Sequence, residues 1–245
     1  MVNFVLMLTE GDVTIPDAVK VYRSLTQDGE SLQHVAFKDV GADQSMVKDL
    51  TDAIRADGRT VWLELADMSD RGQTEGLQLA LTLGVDRVVA AWREDFLSAL
   101  REPGSPEYWP FLGTLSGRPL TLKGTAEELS AAAAELSGTD GVSGVVLMPY
   151  RQQAYDPADL LHRVTSVATV PVLVAGAVST AAQIEAIARA GAWGFTMGSA
   201  LLAGRRDDPA GVARRVGEKL ALCREVAARY GEPALQGGTV HATDL

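Results

Sequence analysis

The chain has 245 residues, enough for one large domain or two small ones. Hydrophobic residues make up 47% and charged residues 22%, ordinary values for a globular protein. The net charge of −10 argues against broad binding to nucleic acid or anionic membranes, because that affinity comes from clustered Lys and Arg, but it leaves open a small phosphorylated ligand held by backbone donors.

Short apolar runs alternate with longer amphipathic segments. The first run, 4–8, is "FVLML". It lacks a positive n-region and a cleavage site and is far too short to span a membrane, so it reads as a buried strand, and the cytoplasm is the expected location. "IPDAVKVYRSLTQDG" follows as a helix, with Thr14 as the expected cap and Pro16 in the first turn. The second run, 34–37, precedes a helix ending at Gly58, and the third, 60–66, a helix ending at Gly84. The fourth run, 87–92, leads into "REDFLSAL". The fifth, 109–115, is weakened by Pro110 and Gly113. Thr125 and Glu128 then stand at capping-box spacing before a helix. The sixth run, 143–148, precedes a helix that Asp156 caps and Pro157 starts. The last two runs, in "VPVLVAGAVSTAAQIEAIARAGAWGFTMGSALL", flank a helix opened by Thr180 and Gln183. A final helix is expected from Asp208-Pro209 to about Tyr230, and 231–245 reads as a loose tail.

Eight continuous apolar strands alternating with helices imply a parallel sheet covered on its faces. At this length the expected fold is one closed (βα)8 barrel over residues 1–245. An open doubly wound sheet is disfavoured, since no G-x-G-x-x-G follows the first strand.

Barrel sites lie at the C-terminal ends of strands, where this sequence places several chemical groups. Lys38 closes the second strand and Glu64 interrupts the third. Adjacent strands lie about 4.8 Å apart, so the two side chains can meet. Alternation puts Ala36 and Lys38 on one face and Val35 and Phe37 on the other, with Trp62 and Glu64 opposed to Val61, Leu63 and Leu65. The aliphatic faces suit the outer helices, which leaves Lys38 and Glu64 pointing inward. Such a pair can shuttle protons next to a carbonyl; a desolvated Lys can instead form a Schiff base, and a structural ion pair is the competing account. The strand 7 and 8 runs end at Gly176-Ala177 and Gly198-Ser199, where backbone amides can converge on an anion. Glu10, Arg93, Tyr150 and Arg151 are candidate substrate contacts, and Arg118, like Arg93, could meet a second charged group. Glu10 with Asp12 could hold Mg2+ beside a phosphate, though loop capping and solubility are the favoured account.

No metal site is expected: His34, His162 and His241 are scattered. Cys223, the single cysteine, sits in a helical pattern and reads as a packed apolar residue.

Residues 170–202 resemble the strand 7–helix–strand 8 segment of phosphate-binding (βα)8 barrels of the ribulose-phosphate-binding type. Here Gly176-Ala177 replaces the usual glycine pair and leaves less room. The resemblance implies an enzyme on a small phosphorylated compound, with a sugar phosphate as the expected substrate. Isomerisation or epimerisation is the first reaction class and aldol-type cleavage the second. More loosely, residues 34–67 resemble the second and third units of glycerol-uptake operon antiterminators, which implies a non-enzymatic ligand sensor as the alternative. No cofactor is required by these readings. Mg2+ or flavin mononucleotide remains compatible with them, as does a homo-oligomer.

Overall fold

The computed structural model describes residues 2–25 and 32–230. Its eight long-range strands are β1 (Asn3–Met7), β2 (His34–Lys38), β3 (Thr60–Glu64), β4 (Arg87–Ala90), β5 (Glu107–Pro110), β6 (Val145–Leu147), β7 (Val172–Val174) and β8 (Gly194–Met197). They pair in parallel in the order β6-β7-β8-β1-β2-β3-β4-β5. Parallel bridges Tyr108–Val142 and Phe111–Val146 join β5 to β6, so the ring closes. Its helices are α1 (Ala18–Leu25), α2 (Gln44–Ala56), α3 (Asp70–Leu83), α4 (Phe96–Leu100), α5 (Ala126–Ser137), α6 (Pro157–Val167), α7 (Ala181–Arg189), α8 (Ser199–Leu202) and α9 (Pro209–Tyr230). The tail 231–245, with His241, lies outside the described residues.

The strand pattern explains the two-layer wall. Val35, Phe37, Val61 and Leu63 face outward and are fully buried under the helices. Each such side chain contributes about 1.5–3 kcal/mol by leaving water. In α2, Val47, Leu50 and Ile54 recur at helical spacing and form its buried stripe. Capping follows local chemistry. Asp43 accepts the Met46 amide at 2.8 Å at the start of α2, and complete capping boxes open α5 (Thr125, Glu128) and α7 (Thr180, Gln183).

Two expectations change. The fifth strand begins at Glu107, two residues before the apolar run, and ends at Pro110. Phe111 and Leu112 still bond to the neighbouring strands, and only the end of the run leaves the barrel, in a hairpin of Thr114–Ser116 against Thr121–Lys123. Thr14 does not cap α1; it lies in the first hairpin along the chain, Thr9–Glu10 against Val13–Thr14, which makes the 114–123 hairpin the second. Its hydroxyl donates to the Lys38 carbonyl and accepts from the Lys38 amide, both at 2.8 Å. A buried polar side chain has satisfied two strand-end groups instead of helix-end amides.

The N-terminal end of the barrel is plugged. The Arg87 guanidinium lies 4.8 Å from the Trp62 ring centre, 5.3 Å from that of Trp109 and 5.4 Å from that of Trp193. Glu107 pairs with it at 2.7 Å. Gly144 makes room: a Cβ there would sit 2.4 Å from the Trp109 ring. Open space is therefore left to the opposite, C-terminal end. Among the described residues, no helix is long and apolar enough to cross a membrane.

Candidate active site

At the C-terminal mouth, Lys38 and Glu64 are register partners on β2 and β3. Lys38 Nζ lies 3.0 Å from Glu64 Oε1, and both side chains are buried. A second carboxylate reaches the same ammonium: Asp12 Oδ1 is 3.1 Å away. Asp12 stands at the tip of the first hairpin with φ 62°, a left-handed conformation uncommon outside glycine. It also accepts the Leu120 amide at 3.1 Å. One lysine thus carries two carboxylates, where the sequence suggested one.

The charges tune each other. Burial pushes Lys38 down, but Glu64 and Asp12 outweigh it and hold the ammonium above the usual lysine range. Burial pushes Asp12 up, but Lys38, Arg151 and the Leu120 amide hold it below the usual carboxylate range. Lys38 is therefore a firmly charged donor at neutral pH, a poor nucleophile in this state. Next to it, Asp39 accepts the Ala66 amide at 2.8 Å and ties the ends of β2 and β3 together. Burial pushes Asp39 up to about 6, against the Ala66 hydrogen bond and with help from Glu64.

Arg151 arrives from a single 3-10 turn after β6, Pro149–Arg151. Its Nη2 lies 3.2 Å from Asp12 Oδ1 and its Nη1 3.4 Å from Oδ2. Its Nε is buried with no hydrogen-bond partner. Beside it is the turn after β7, with Gly176 at φ 75° and Ala177 at φ 59°. A Cβ at Gly176 would lie 2.7 Å from Arg151 Cγ and 2.6 Å from Met148 Cε. The alanine in the left-handed region costs on the order of 1 kcal/mol, so the turn is held by its surroundings. Gln183 supplies part of that hold: its Oε1 accepts the Ser179 and Thr180 amides at 2.8 and 3.0 Å, and its Nε2 donates to the Ala177 carbonyl at 3.2 Å. Those two amides are thereby occupied.

After β8, Gly198 precedes α8. A Cβ there would meet the Met7 carbonyl oxygen at 2.9 Å and the Thr9 carbonyl oxygen at 3.0 Å. Its lack of a side chain is required by the backbone of the β1 end, whatever else the turn does.

A cavity of about 320 Å3 brings these groups together. Lys38, Glu64, Asp12 and Arg151 line one part of it, and Gly176, Ala177, Gly198 and Ser199 another. Thr9, Ser179, Thr196 and the apolar Met148 also line it, and of these Ser179, Thr196 and Met148 were not singled out from sequence. Strand parity could have found Thr196, which shares the face of Gly194 and Gly198.

Other candidates lie elsewhere. Glu10 turns away from Asp12 and pairs with Arg205 at 2.6 Å. Buried Arg205 also holds Asp17 at 3.1 Å, which clamps the first hairpin to the segment after α8. Glu10 and Asp12 thus have different cationic partners and do not converge as an Mg2+ pair. Arg93 is held by Asp95 at 2.7 Å and Asp70 at 3.2 Å and does not line the cavity. Tyr150 packs against the core, outside the cavity lining. Arg118 belongs to the second hairpin loop and also lies outside that lining. Among the described residues, no group of three or more His, Cys, Asp or Glu side chains is arranged to hold a metal ion. Cys223 is buried in α9, and burial pushes its thiol up to about 12.

Neither a family model nor a curated sequence matches this chain. Solved structures do. Tryptophan synthase from M. tuberculosis aligns over 94% of this chain and 93% of its own, at 18% identity and a TM-score of 0.59. Flavocytochrome b2 aligns over 95% of this chain and 66% of its own, at 16% identity and a TM-score of 0.63. A cube-shaped cage designed by fusing symmetric oligomeric domains aligns over 93% and 74%, at 15% identity and a TM-score of 0.64. The fold is a TIM barrel. At these identities the likeness concerns the TIM-barrel fold alone, so function must be argued from the cavity.

Proposed function

We propose that this TIM barrel is an enzyme that binds a small phosphorylated compound, with a sugar phosphate as the leading class, and moves a proton at a carbon next to a carbonyl. One observation carries the reading: a single cavity joins the Lys38–Glu64–Asp12 cluster to the Gly176-Ala177 and Gly198-Ser199 turns. The phosphate would rest against those turns, beside the Arg151 side chain that lines the cavity. The reacting carbons would then face Lys38 and Glu64. Glu64 would take a proton from carbon as general base, while the Lys38 ammonium would stabilise the enolate oxygen that develops. The charged state of Lys38 favours this role over a Schiff base. An enolate is common to isomerisation, epimerisation and retro-aldol cleavage, so the cluster serves each of these classes.

The cavity volume is near the lower end for ligand sites, and no aromatic ring lines it. Both features favour a compact aliphatic ligand over flavin mononucleotide. The flavin that flavocytochrome b2 is named for therefore lends this chain little support, and a colourless purified protein would agree.

The test is solvent-deuterium exchange into a panel of sugar phosphates, followed by NMR. Exchange that disappears in Glu64→Gln supports the enzyme reading. Tight binding without exchange favours a ligand sensor, the role implied by the likeness of residues 34–67 to the antiterminators. Binding of no member of the panel would remove the phosphate reading.

A further inference from the structure

Four threonines are buried among the described residues: Thr9, Thr14, Thr51 and Thr196. Two of them are satisfied inside the fold. Thr14 donates to the Lys38 carbonyl and Thr51 to the Val47 carbonyl, each at 2.8 Å. Thr9 and Thr196 differ. They are only 6% and 7% exposed, yet among the described residues neither hydroxyl meets a hydrogen-bond partner. Neither oxygen is sealed in, because the sealed side-chain atoms without a partner are all arginine nitrogens. Both residues line the cavity. The serines of the same lining, Ser179 and Ser199, are exposed at its rim, where water serves them. Strand order fixes where the two threonines stand. The glycine turns follow β7 and β8, Lys38 and Glu64 end β2 and β3, and β1 lies between β8 and β2. Thr196 is the register partner of Val5 on β1 and shares the inner face of β8 with Gly198. Thr9 follows β1, and its carbonyl oxygen is 3.0 Å from where a Gly198 Cβ would be. The unpaired hydroxyls therefore occupy the arc between the glycine turns and the Lys38–Glu64 end.

We propose that Thr9 and Thr196 are specificity-determining residues: they hydrogen-bond hydroxyls on the ligand carbons between its phosphate and its reacting carbon. The proposal rests on the phosphate reading above and narrows it to polyhydroxylated phosphate esters. A molecule that spans the cavity from the glycine turns to Glu64 passes the β8 and β1 positions, so its middle carbons meet these side chains. A threonine hydroxyl can donate one hydrogen bond and accept others, which suits an alcohol of either orientation. Water can serve both hydroxyls while the cavity is empty. A ligand with bare methylenes there would expel that water and leave two buried hydroxyls unpaired, a penalty larger than the gain from one good hydrogen bond. The pair thus selects chiefly by rejecting deoxygenated analogues, the direction in which a polar site discriminates strongly. No charge is involved, so selection and anion binding are carried by separate groups.

The test compares two probes of equal chain length, glycerol 3-phosphate and propyl phosphate, with inorganic phosphate as the third. Calorimetry on the full chain would measure each affinity in the parent, Thr196→Val, Thr9→Val, the double variant and Thr196→Ser. Valine keeps the branched shape and suits a strand. The parent is expected to favour glycerol 3-phosphate over propyl phosphate by roughly tenfold or more, about the worth of one hydrogen bond together with the penalty of leaving it unmade. Each valine variant should reduce that preference, and the double variant should abolish it by weakening glycerol 3-phosphate alone. Thr196→Ser should retain the preference, because the hydroxyl remains. Affinity for inorganic phosphate should be the same in all five proteins. Ligand-free Thr196→Val should melt at or above the parent temperature, since it removes a hydroxyl that the fold does not use. Four results overturn the proposal. Equal binding of the two esters by the parent would leave the phosphate site standing without a hydroxyl reader. A preference that survives in the double variant would place the reader on other residues. A lower melting temperature for Thr196→Val would show that the fold itself uses the hydroxyl. Binding of none of the three probes by the parent would remove the phosphate reading and the proposal together.

Discussion

Two cations sit at opposite ends of this barrel, Arg87 partly buried and Lys38 buried, and their surroundings differ. Arg87 at the N-terminal end is enclosed by the rings of Trp62, Trp109 and Trp193 and needs only one partly exposed carboxylate, Glu107. Lys38 at the C-terminal end has no ring around it; Glu64 and Asp12 press on it from two sides, and open cavity lies beside it. A guanidinium is weakly hydrated and spreads its charge, so aromatic faces can solvate it while also filling space. An ammonium is compact and strongly hydrated, so it requires carboxylates when buried. The first arrangement closes the barrel. The second holds a proton donor and an acceptor next to a place where a molecule fits.

Glu64→Gln tests the mouth most severely. If Glu64 is the base, exchange should fall by about 10² to 10⁴. The sequence treated Lys38 and Glu64 as an isolated pair, whose breakage costs about 3–5 kcal/mol. The structure lowers that expectation, because Asp12 still compensates Lys38 in the variant. A loss of about 1–3 kcal/mol is expected instead, as for a hydrogen bond to a charged group. A chemical melt on the same protein gives the second number. A larger loss, with no exchange in either protein, would turn the mouth cluster into a structural brace like the plug.

Trp109→Ala tests the other end. Deleting this buried ring should cost about 3–5 kcal/mol in a denaturant titration. It would also open a cavity beside Arg87. Phosphate affinity, measured well below the melting temperature, should stay at the parent value. Lost affinity at retained fold would mean that the two ends are not independent.

The two site glycines separate the same two roles within the mouth. Gly198→Ala places a Cβ against the fixed carbonyls of Met7 and Thr9, so about 1–3 kcal/mol of stability should be lost. Gly176→Ala meets the movable Met148 Cε but also Arg151 Cγ, near the base of that side chain. It should cost about 1–3 kcal/mol through its left-handed backbone and the displaced arginine, and weaken phosphate binding more than Gly198→Ala does. The opposite ranking would move the anion to the β8 turn.

Much of this was legible from sequence, for physical reasons. Strand parity put Lys38 and Glu64 on the inner face, since Val35, Phe37, Val61 and Leu63 had to meet the helices. The capping boxes of α5 and α7 are local and read directly. The third member of the cluster was not readable. Asp12 lies 26 residues from Lys38 and 139 from Arg151. It reaches them because a four-residue pairing of Thr9–Glu10 with Val13–Thr14 folds the loop over the mouth, and such short pairing leaves no periodic signal. Arg205 was missed in the same way: its partners Glu10 and Asp17 are 195 and 188 residues away. The close approach required of Gly198 was expected to concern a ligand, but the surface it meets first is the backbone at the β1 end.

The smallest expected effect concerns pH and again sets the two ends against each other. His34 lies at the plug end, edge-on to Trp62 and beside Trp193. Burial, with Arg87 nearby, pushes it down to about 4. Between about 4 and the ordinary histidine value near 6.5, the unfolded chain binds the extra proton, so this contribution to stability is lost as pH falls. Asp39 at the mouth end is shifted the other way, up to about 6. Between the ordinary aspartate value near 3.9 and about 6, the folded chain binds the extra proton, so this contribution grows as pH falls. Over the shared window the two slopes oppose each other and flatten the response of the parent. Each variant should uncover the other term. His34→Gln should gain on the parent as pH drops from 6.5 to 4, and Asp39→Asn should fall behind it, each by about 1–2 kcal/mol after allowance for partial exposure. Denaturant melts at half-unit pH steps would measure both slopes. Parallel curves for the parent and Asp39→Asn would mean that Asp39 keeps an ordinary carboxylate in the fold, and that its tie to the Ala66 amide outweighs its burial beside Glu64.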